Sequence, residues 1–579
     1  MNYQSNHRIL RRKSQPFPGQ PPTDLHPLLA RLLAARGVTR PEELEHGLGQ
    51  LLPYQQLKGI DAATALLEQA LRERWRLLIV GDFDADGATS TAVALRALRL
   101  LGAEQVDFLV PNRFEYGYGL TPEIVAVAAQ SQPDLIITVD NGIASVDGVA
   151  AAQQLGIRVL VTDHHLAPAE LPSAEAMVNP NQPGDSFPSK HLAGVGVIFY
   201  TLLALRARLR ESAWFTEQGI AEPKLAELLD LVALGTVADV VVLDHNNRIL
   251  VAQGVARIRA GRGCAGINAL CTIAKRDPAR LRATDLGFAI GPRLNAAGRM
   301  DDMSLGIRCL LSDDPQEAMR LAIELDSLNQ ERRQVEGEMR EEALTELQRL
   351  HLDDTLPYGL CLYNPDWHQG VIGILASRVK ERVHRPVIVF TDAGEGIIKG
   401  SARSVPGVHI RDALDAVASR HPGLLHKFGG HAMAAGMSLA LEGLETFRQA
   451  FDEEVRRHLS EEDLQGVLLS DGELDAQTAD MALADTLRHA LPWGQGFPEP
   501  LFDGRFAVIS QRIVGEKHLK FRLRWPESEE QVEAIAFFVD DELLQGEFSE
   551  VQIAYRVDVN EWNGRRSLQL LIEAIVEAG

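Results

Sequence analysis

The sequence predicts a multidomain α/β protein: a parallel-sheet domain, a long connecting helix, a second α/β domain and a C-terminal OB-like β-barrel. Three observations lead there. Apolar runs alternate with helical patterns over 75–162 and again over 360–459, and strands apolar on both faces belong to parallel sheets covered by helices. One helical periodicity continues from 315 to 350. From 506 onward apolar and polar residues alternate as in a small antiparallel barrel.

Taken in order, residues 1–50 read as an N-terminal helical segment, broken by Pro16, Pro18, Pro21 and Pro22. Residues 51–240 read as the first α/β domain. Its strands are expected over 75–80, 106–110, 135–139 and 159–162, and its helices over 89–101, 121–130, 145–155 and 224–234. Residues 241–355 read as helical and end in the long helix, where Ala318, Leu321, Ala322, Leu325, Leu328, Val335, Met339, Ala343 and Leu347 recur at three and four. A helix of ~35 residues is about 50 Å long, which suits a strut between two domains. Residues 356–460 read as the second α/β domain, with strands over 360–363 and 387–390, a helix over 371–383 between them and another over 442–459. Residues 461–579 open with an acidic stretch and carry the barrel. Its strands are expected over 506–510, 519–525, 532–538, 551–559 and 568–575, with Asn563-Gly564 as a hairpin turn.

The 579 residues suffice for about three to five domains, and 45% hydrophobic residues exclude wholesale disorder. No apolar run approaches the ~18 residues of a membrane span. The N-terminus is polar, then basic, without the apolar core of a signal peptide. Cys264, Cys271, Cys309 and Cys361 form no CxxC or zinc spacing and read as reduced thiols of a cytoplasmic protein. The net charge of −22 argues against a nucleic-acid coat protein. A nuclease stays open, because a basic groove and a metal site can sit inside an acidic shell.

Asp82, Asp84 and Asp86 stand at alternate positions in Gly81-Asp82-Phe83-Asp84-Ala85-Asp86-Gly87, after an expected strand and before an expected helix. They offer several hard oxygen ligands on one turn. An EF-hand loop also begins D-x-D-x-D-G, but its twelfth position, a bidentate Glu, is Val93 here. Asp140-Asn141-Gly142 and Asp163-His164-His165 follow two further strands, and Asp239 follows a helix. Parallel sheets form sites at the carboxyl ends of their strands, so separate loops deliver carboxylates and imidazoles to one edge. Taken singly, Asp140 reads as a turn residue, Asp239 as a helix cap and each His as a surface residue. Their coincidence points to a metal site. Mixed Asp and His ligands with little sulfur suit Mn2+ or Mg2+. The carboxylates suffice for two ions sharing one bridging Asp, the arrangement used for phosphoryl hydrolysis.

These four motifs, in this order, resemble those of the DHH phosphoesterase superfamily. From about residue 50 to the end the chain is similar to that superfamily's single-strand-specific 5′→3′ DNA exonucleases. The resemblance implies Asp84 and Asp140 on one ion, and Asp86, Asp140, His164 and Asp239 on the other, with Asp140 bridging. It implies Asp163 and His165 beside the site as catalytic residues that orient ligands or touch the phosphate. Related pyrophosphatases carry a His four residues before the position of Asp84. Val80 stands there, so Asp82 or water is expected to substitute. The resemblance also implies 5′-mononucleotide products and a role in DNA repair and recombination. Single-stranded DNA, a single-stranded-DNA-binding protein and a helicase are the partners it implies.

Several segments suit a strand of nucleic acid. Residues 111–119 combine Arg113 with Phe114, Tyr116, Tyr118 and flexible glycines; Arg forks onto phosphate and rings stack on bases. Residues 291–300 read as a loop of small residues that lets a backbone approach closely. They resemble a segment of these exonucleases, which implies Arg299, with Arg293 and Asn295, near the DNA. In the second α/β domain, Ser401 and Arg403 within 400–404, and Gly429-Gly430-His431, stand out, and 428–436 matches the GGHxxAAG signature of the DHH-associated (DHHA1) domain. Glycines there are expected to open a helix and offer amides to an anion, with Ser401, Arg403 and His431 as further donors. By the resemblance, Arg113, Arg299 and Arg403 hold the terminal 5′ phosphate, in a cleft between the two α/β domains, and set the polarity. In the barrel, Lys517, Lys520, Arg522, Arg524, Arg565 and Arg566 interleave with Phe521, Trp525 and Trp562. These suit single-strand binding, or the rings belong to the barrel core.

Two other functions fit parts of the pattern. A phosphodiesterase for short oligonucleotides or cyclic dinucleotides would need neither this length nor the barrel. A catalytically inactive replication scaffold would not need Asp84, Asp86, Asp140, His164 and Asp239, all present here.

Overall fold

The computed structural model describes residues 7–13, 17, 25–111, 119–353, 356–539, 541–562 and 564–578. The chain divides into two compact units, one of residues 16–330 and 489–499, the other of 1–15, 331–488 and 500–579.

In the first unit, β1 (Leu77–Gly81), β2 (Val106–Leu109), β3 (Leu135–Val139), β4 (Arg158–Thr162) and β5 (Ala176–Val178) form one sheet in the order β2-β1-β3-β4-β5. All pairings are parallel. β1 and β3 are buried along their whole length, which is why nearly every position is apolar. Leu78, Val80, Ile136, Val159 and Val161 pack on one face against Leu120, Ile124 and Val125. The strand order reverses between β1 and β3. Open parallel sheets place their ligands at such a switch point, beyond the strand carboxyl ends.

The rest of this unit is helical. The helix expected over 224–234 runs Leu229–Ala238, after a 3₁₀ turn at Leu225–Leu228. The segment expected as a loop over 291–300 is instead a helix, Gly291–Met300, following a π-helical turn at Leu286–Ile290. Pro292 lies in its first turn, where a missing N–H breaks no helical hydrogen bond. The long helix is Pro315–Asp353, 39 residues, and the division between the units falls inside it, after Gln330.

In the second unit a mixed sheet runs in the order Lys427–Gly430, Ala434–Ala440, Ile397–Arg403, Val387–Asp392, Leu360–Tyr363. Gly429 and Gly430, expected at a helix start, are instead strand residues that lead into a tight hairpin. His431 N donates to Ala434 O at 2.8 Å. Gly430 has φ +144° and a Cβ there would stand 2.4 Å from Ala434 O, so the glycine permits the turn. The N-terminal segment, expected as helical, begins with a strand, His7–Arg11, paired in parallel with Gly466–Ser470. A helix, Pro27–Ala34, comes only after it. The strands Phe502–Val514, His518–Arg524, Gln531–Phe537, Arg565–Ala578 and Glu550–Trp562 close a barrel in that order. Among the described residues, no helix is long and apolar enough to cross a membrane.

Candidate metal centre

β1 ends at Gly81, and the chain turns at once into the helix Ala85–Leu100. Asp84 caps that helix: its Oδ1 accepts the amides of Asp86 at 2.9 Å and Gly87 at 3.0 Å. Asp82 Oδ1 accepts the amide of Phe83 at 2.8 Å. The buried Asp86 carboxylate accepts Gly194 N at 2.7 Å and Val195 N at 2.9 Å. Those amides open the helix Gly194–Glu211, where no intrahelical acceptor exists for them.

β3 delivers Asp140, which has φ +61°, a conformation Asp tolerates better than most residues. Asn141 Nδ2 donates to Val80 O at 3.0 Å and Val139 O at 2.9 Å, tying the loop across β1 and β3. Two residues on, Gly142 has φ +112° and its missing Cβ leaves room for Thr138 Oγ1. β4 delivers Asp163, His164 and His165. Asp163 Oδ2 accepts Ile143 N at 2.9 Å, and Oδ1 lies 2.7 Å from His165 Nδ1. Asn179 and Asn181 donate to His165 O and His164 O at 3.0 Å and 2.6 Å. Asp239 follows the last turn of Leu229–Ala238.

These segments converge. His164 Nε2 lies 3.1 Å from Asp140 Oδ1 and 3.5 Å from Asp239 Oδ2. Three groups of ligand atoms each fall within 4.8 Å: Asp82, Asp84 and Asp140; Asp86, His164 and Asp239; Asp140, His164 and His165. Asp140 and His164 therefore serve more than one group.

The electrostatics fit a cation. Burial and the charge of Asp84 push the Asp86 carboxyl up to about 7. Burial and neighbouring carboxylates push Asp140 and Asp239 well above the usual range. Buried like charges repel, and a divalent ion relieves that repulsion. Among the described residues nothing donates a hydrogen bond to the buried Asp239 Oδ2, which suits a ligand atom. Hard oxygens with imidazole nitrogens suit Mn2+ or Mg2+. Asp163 and His165 behave differently. Burial pushes Asp163 up, but the hydrogen bond and charge of His165 outweigh it and hold Asp163 low. Burial pulls His165 down, but the hydrogen bond and charge of Asp163 outweigh it and raise His165 to about 9. The two form an ion pair beside the carboxylate cluster.

Sequence reasoning missed the Gly194 and Val195 amides and the brace of Asn179 and Asn181. The asparagines follow β5, so the strand-end rule that found the aspartates also covers them. Asn295 and Arg293, expected near the DNA, each have a partner within the chain. Asn295 Oδ1 accepts Ala85 N at 2.8 Å, and Arg293 pairs with Asp326 at 2.8 Å. Arg299 lies in the last turn of Gly291–Met300. Arg113, Phe114, Tyr116 and Tyr118 lie outside the described residues.

A second candidate site lies in the other unit. Arg403 donates to Ser401 Oγ at 3.1 Å and to Ala402 O at 2.8 Å. Among the described residues no carboxylate pairs with it, and burial lowers its pKa from the usual value. A Cβ on Gly373 would stand 2.9 Å from Arg403 Nη2 and 3.0 Å from Ser401 Oγ, so both side chains reach the start of the helix Ile372–Val383. Gly429 is in register with Gly436, and Gly436 with Ser401. Among the described residues nothing stands within 4 Å of a Cβ on Gly429, and His431 is exposed at the turn. A sheltered guanidinium beside a helix start and bare backbone suits a phosphate.

In the barrel, Phe521 and Trp525 are 1% and 3% exposed. Trp525 packs on Phe506 and Tyr555, so these two rings are core. Lys520 pairs with Glu533, and Arg566 with Asp485 and Glu561.

A family model described as the DHH family, N-terminal domain, matches residues 76–236. Models described as the DHHA1 domain and the RecJ OB domain match 357–457 and 470–574. A single-stranded-DNA-specific exonuclease RecJ of Dickeya dadantii is 57% identical over 554 residues, 95% of this chain and 96% of the relative. The protein of the same name from Escherichia coli is 55% identical over 568 residues, 98% of each chain. The crystal structure of RecJ from Thermus thermophilus in complex with Mn2+ matches with a TM-score of 0.79 at 32% identity, covering 96% of this chain and 76% of that one. Its Mg2+ complex matches with a TM-score of 0.74 at 30% identity, covering 96% and 75%.

Proposed function

The chain belongs to the RecJ family of single-stranded-DNA-specific exonucleases, and from that premise we propose which residues carry the reaction. It is a metal-dependent hydrolase of single-stranded DNA that uses Mn2+ or Mg2+. Asp84 and Asp140, with Asp82 in place of the absent histidine, hold one ion. Asp86, Asp140, His164 and Asp239 hold the second, and Asp140 bridges. The observation that carries this reading is the sharing of Asp140 and His164 among three groups of ligand atoms within 4.8 Å.

Bound there, the ions supply charge against the phosphate and lower the pKa of water. The chain's own groups fix the geometry. Capping directs Asp84, and two amides hold Asp86. Asp163 fixes His165 through Nδ1, and the charged His165 faces the phosphate as donor. Ser401, Arg403, Gly429, Gly430 and His431 bind DNA phosphate in the second unit, and Arg299 and Arg113 do so in the first. A grip on a terminal 5′ phosphate sets 5′→3′ polarity and yields 5′-mononucleotides.

Residues 51–240 act as the DHH catalytic domain, 356–460 as the DHHA1 nucleic-acid-binding domain and 461–579 as the OB domain. The matched ranges 76–236, 357–457 and 470–574 support this division. The setting is DNA repair and recombination in the cytoplasm. A single-stranded-DNA-binding protein and a helicase supplying unwound ends are partners that rest on family resemblance.

Digestion of end-labelled single-stranded and duplex DNA with Mn2+, Mg2+ or EDTA tests the reading. The single strand should shorten from its 5′ end only when metal is present, and blunt duplex should survive. Shortening from the 3′ end defeats the polarity assignment. Activity in EDTA defeats the metal assignment.

A further inference from the structure

Three of the four most exposed large apolar side chains among the described residues border the candidate metal centre. Phe288 is 81% exposed, Leu166 63% and Val240 62%; the fourth, Phe538 at 65%, is in the barrel unit. Leu166 follows His165 in the chain, and Val240 follows Asp239. Phe288 arrives by packing. Gly287 and Gly291, on either side of it, approach the two residues that precede Asp239. A Cβ on Gly287 would stand 3.1 Å from Val237 Cγ1, and one on Gly291 3.1 Å from Ala238 Cβ. Further along the same segment, Asn295 accepts the Ala85 amide and Gly298 lies against the Phe83 carbonyl. Residues 287–298 therefore pack against the segments that carry Asp82, Asp84, Asp86 and Asp239.

Apolar residues scattered singly over a surface are ordinary. A group of them beside a centre that handles a charged backbone is not. The local backbone holds two of them in unusual ways. Phe288 sits in the π-helical turn Leu286–Ile290, and such turns recur at functional sites. Val240 has φ +62°, a strained conformation for a β-branched residue. A phosphodiester gains nothing from these side chains. A nucleobase does, because its flat face is apolar and lies one sugar away from the phosphate.

We propose that Phe288 is a base-stacking residue: with Val240 and Leu166 it receives the face of the nucleobase next to the scissile phosphate, and so places that phosphate at the metal centre. The proposal rests on the reading of this centre as the site of single-strand hydrolysis. Stacking tolerates every base, so this rim detects the presence of a base and not its kind.

The test uses the full chain, F288A and F288W, with a 5′-phosphorylated single strand and the same strand abasic at its first two positions. Binding is read by fluorescence anisotropy in EDTA, and cleavage of the first bonds by single-turnover kinetics with Mn2+. The unsubstituted chain should bind the abasic strand about tenfold more weakly than the ordinary one. F288A should bind the ordinary strand about tenfold more weakly and lose the distinction, and F288W should restore it. An F288A variant that discriminates against the abasic strand as well as the unsubstituted chain does overturns the proposal. Failure of the unsubstituted chain to cleave any single strand with Mn2+ defeats the functional reading instead.

Discussion

Gly194 makes room for Asp140: a Cβ on Gly194 would stand 2.5 Å from Asp140 Oδ1. The amide of the same glycine binds Asp86 at 2.7 Å. One residue without a side chain thus sets two carboxylates that lie on different strand-end loops.

Gly194→Ala should therefore displace Asp140 and loosen Asp86. Groups that orient metal ligands are typically worth about 10–100-fold in affinity or activity, and a loss of that size in Mn2+ affinity is expected. Calorimetric titration with Mn2+ measures it; unchanged affinity removes Gly194 from the metal centre.

Asp140→Ala removes the one carboxylate common to both proposed ions. Cleavage should disappear while anisotropy shows strand binding close to that of the unsubstituted chain, since the arginines remain. Normal turnover in this variant defeats the bridging role.

Without metal, stability should decline as pH rises from 6 to 9. Asp86 has a folded value of about 7 against an ordinary 3.8. Its contribution is full below the ordinary value and is lost as pH rises through the folded one. His165, at about 9 against 6.5, loses its contribution as pH climbs through the upper part of that range. Mn2+ takes the place of protons, so the Tm gain on adding it should grow with pH. A Tm in EDTA that rises between pH 6 and 9 contradicts both shifts.

Arg403→Lys keeps the charge but loses the guanidinium fork. Its apparent KM should rise for a 5′-phosphorylated strand more than for one ending in a hydroxyl. The slope of log affinity against log salt should change little, since the charge is kept. Equal effects on the two substrates would place Arg403 away from the terminal phosphate.

Phe521→Ala should act on stability. The ring is 1% exposed, and truncating a buried Phe costs about 3–5 kcal/mol. Denaturant unfolding should show that loss, whereas a folded, equally stable variant with weakened strand binding would return Phe521 to the DNA interface.

Much of the candidate metal centre is legible because the residues that could hold a metal sit in short runs after apolar strands. Asp82, Asp84 and Asp86, Asp140, and Asp163 with His164 each follow a strand read from its apolar run. What escaped depends on contacts with no local pattern. Nothing near Gly194 announces that its amide meets Asp86, 108 residues earlier. Gly429 and Gly430 suit a helix start or a hairpin equally well, and only the pairing with Ala434–Ala440 decides. The segment 291–300 reads as a loop because of its glycines and Pro292. It is helical because close packing against Ala238 and the Phe83 carbonyl needs small residues and Pro is tolerated in a first helical turn.

The strand His7–Arg11 cannot pair until its partner Gly466–Ser470 has been synthesised. At ~5–20 residues per second, the interval between them takes roughly 25–90 s on the ribosome. The parallel sheet built from residues 77–178 emerges whole within that time. The nascent chain therefore completes its catalytic sheet while its own leading strand, with Ile9 and Leu10, still waits for a mate.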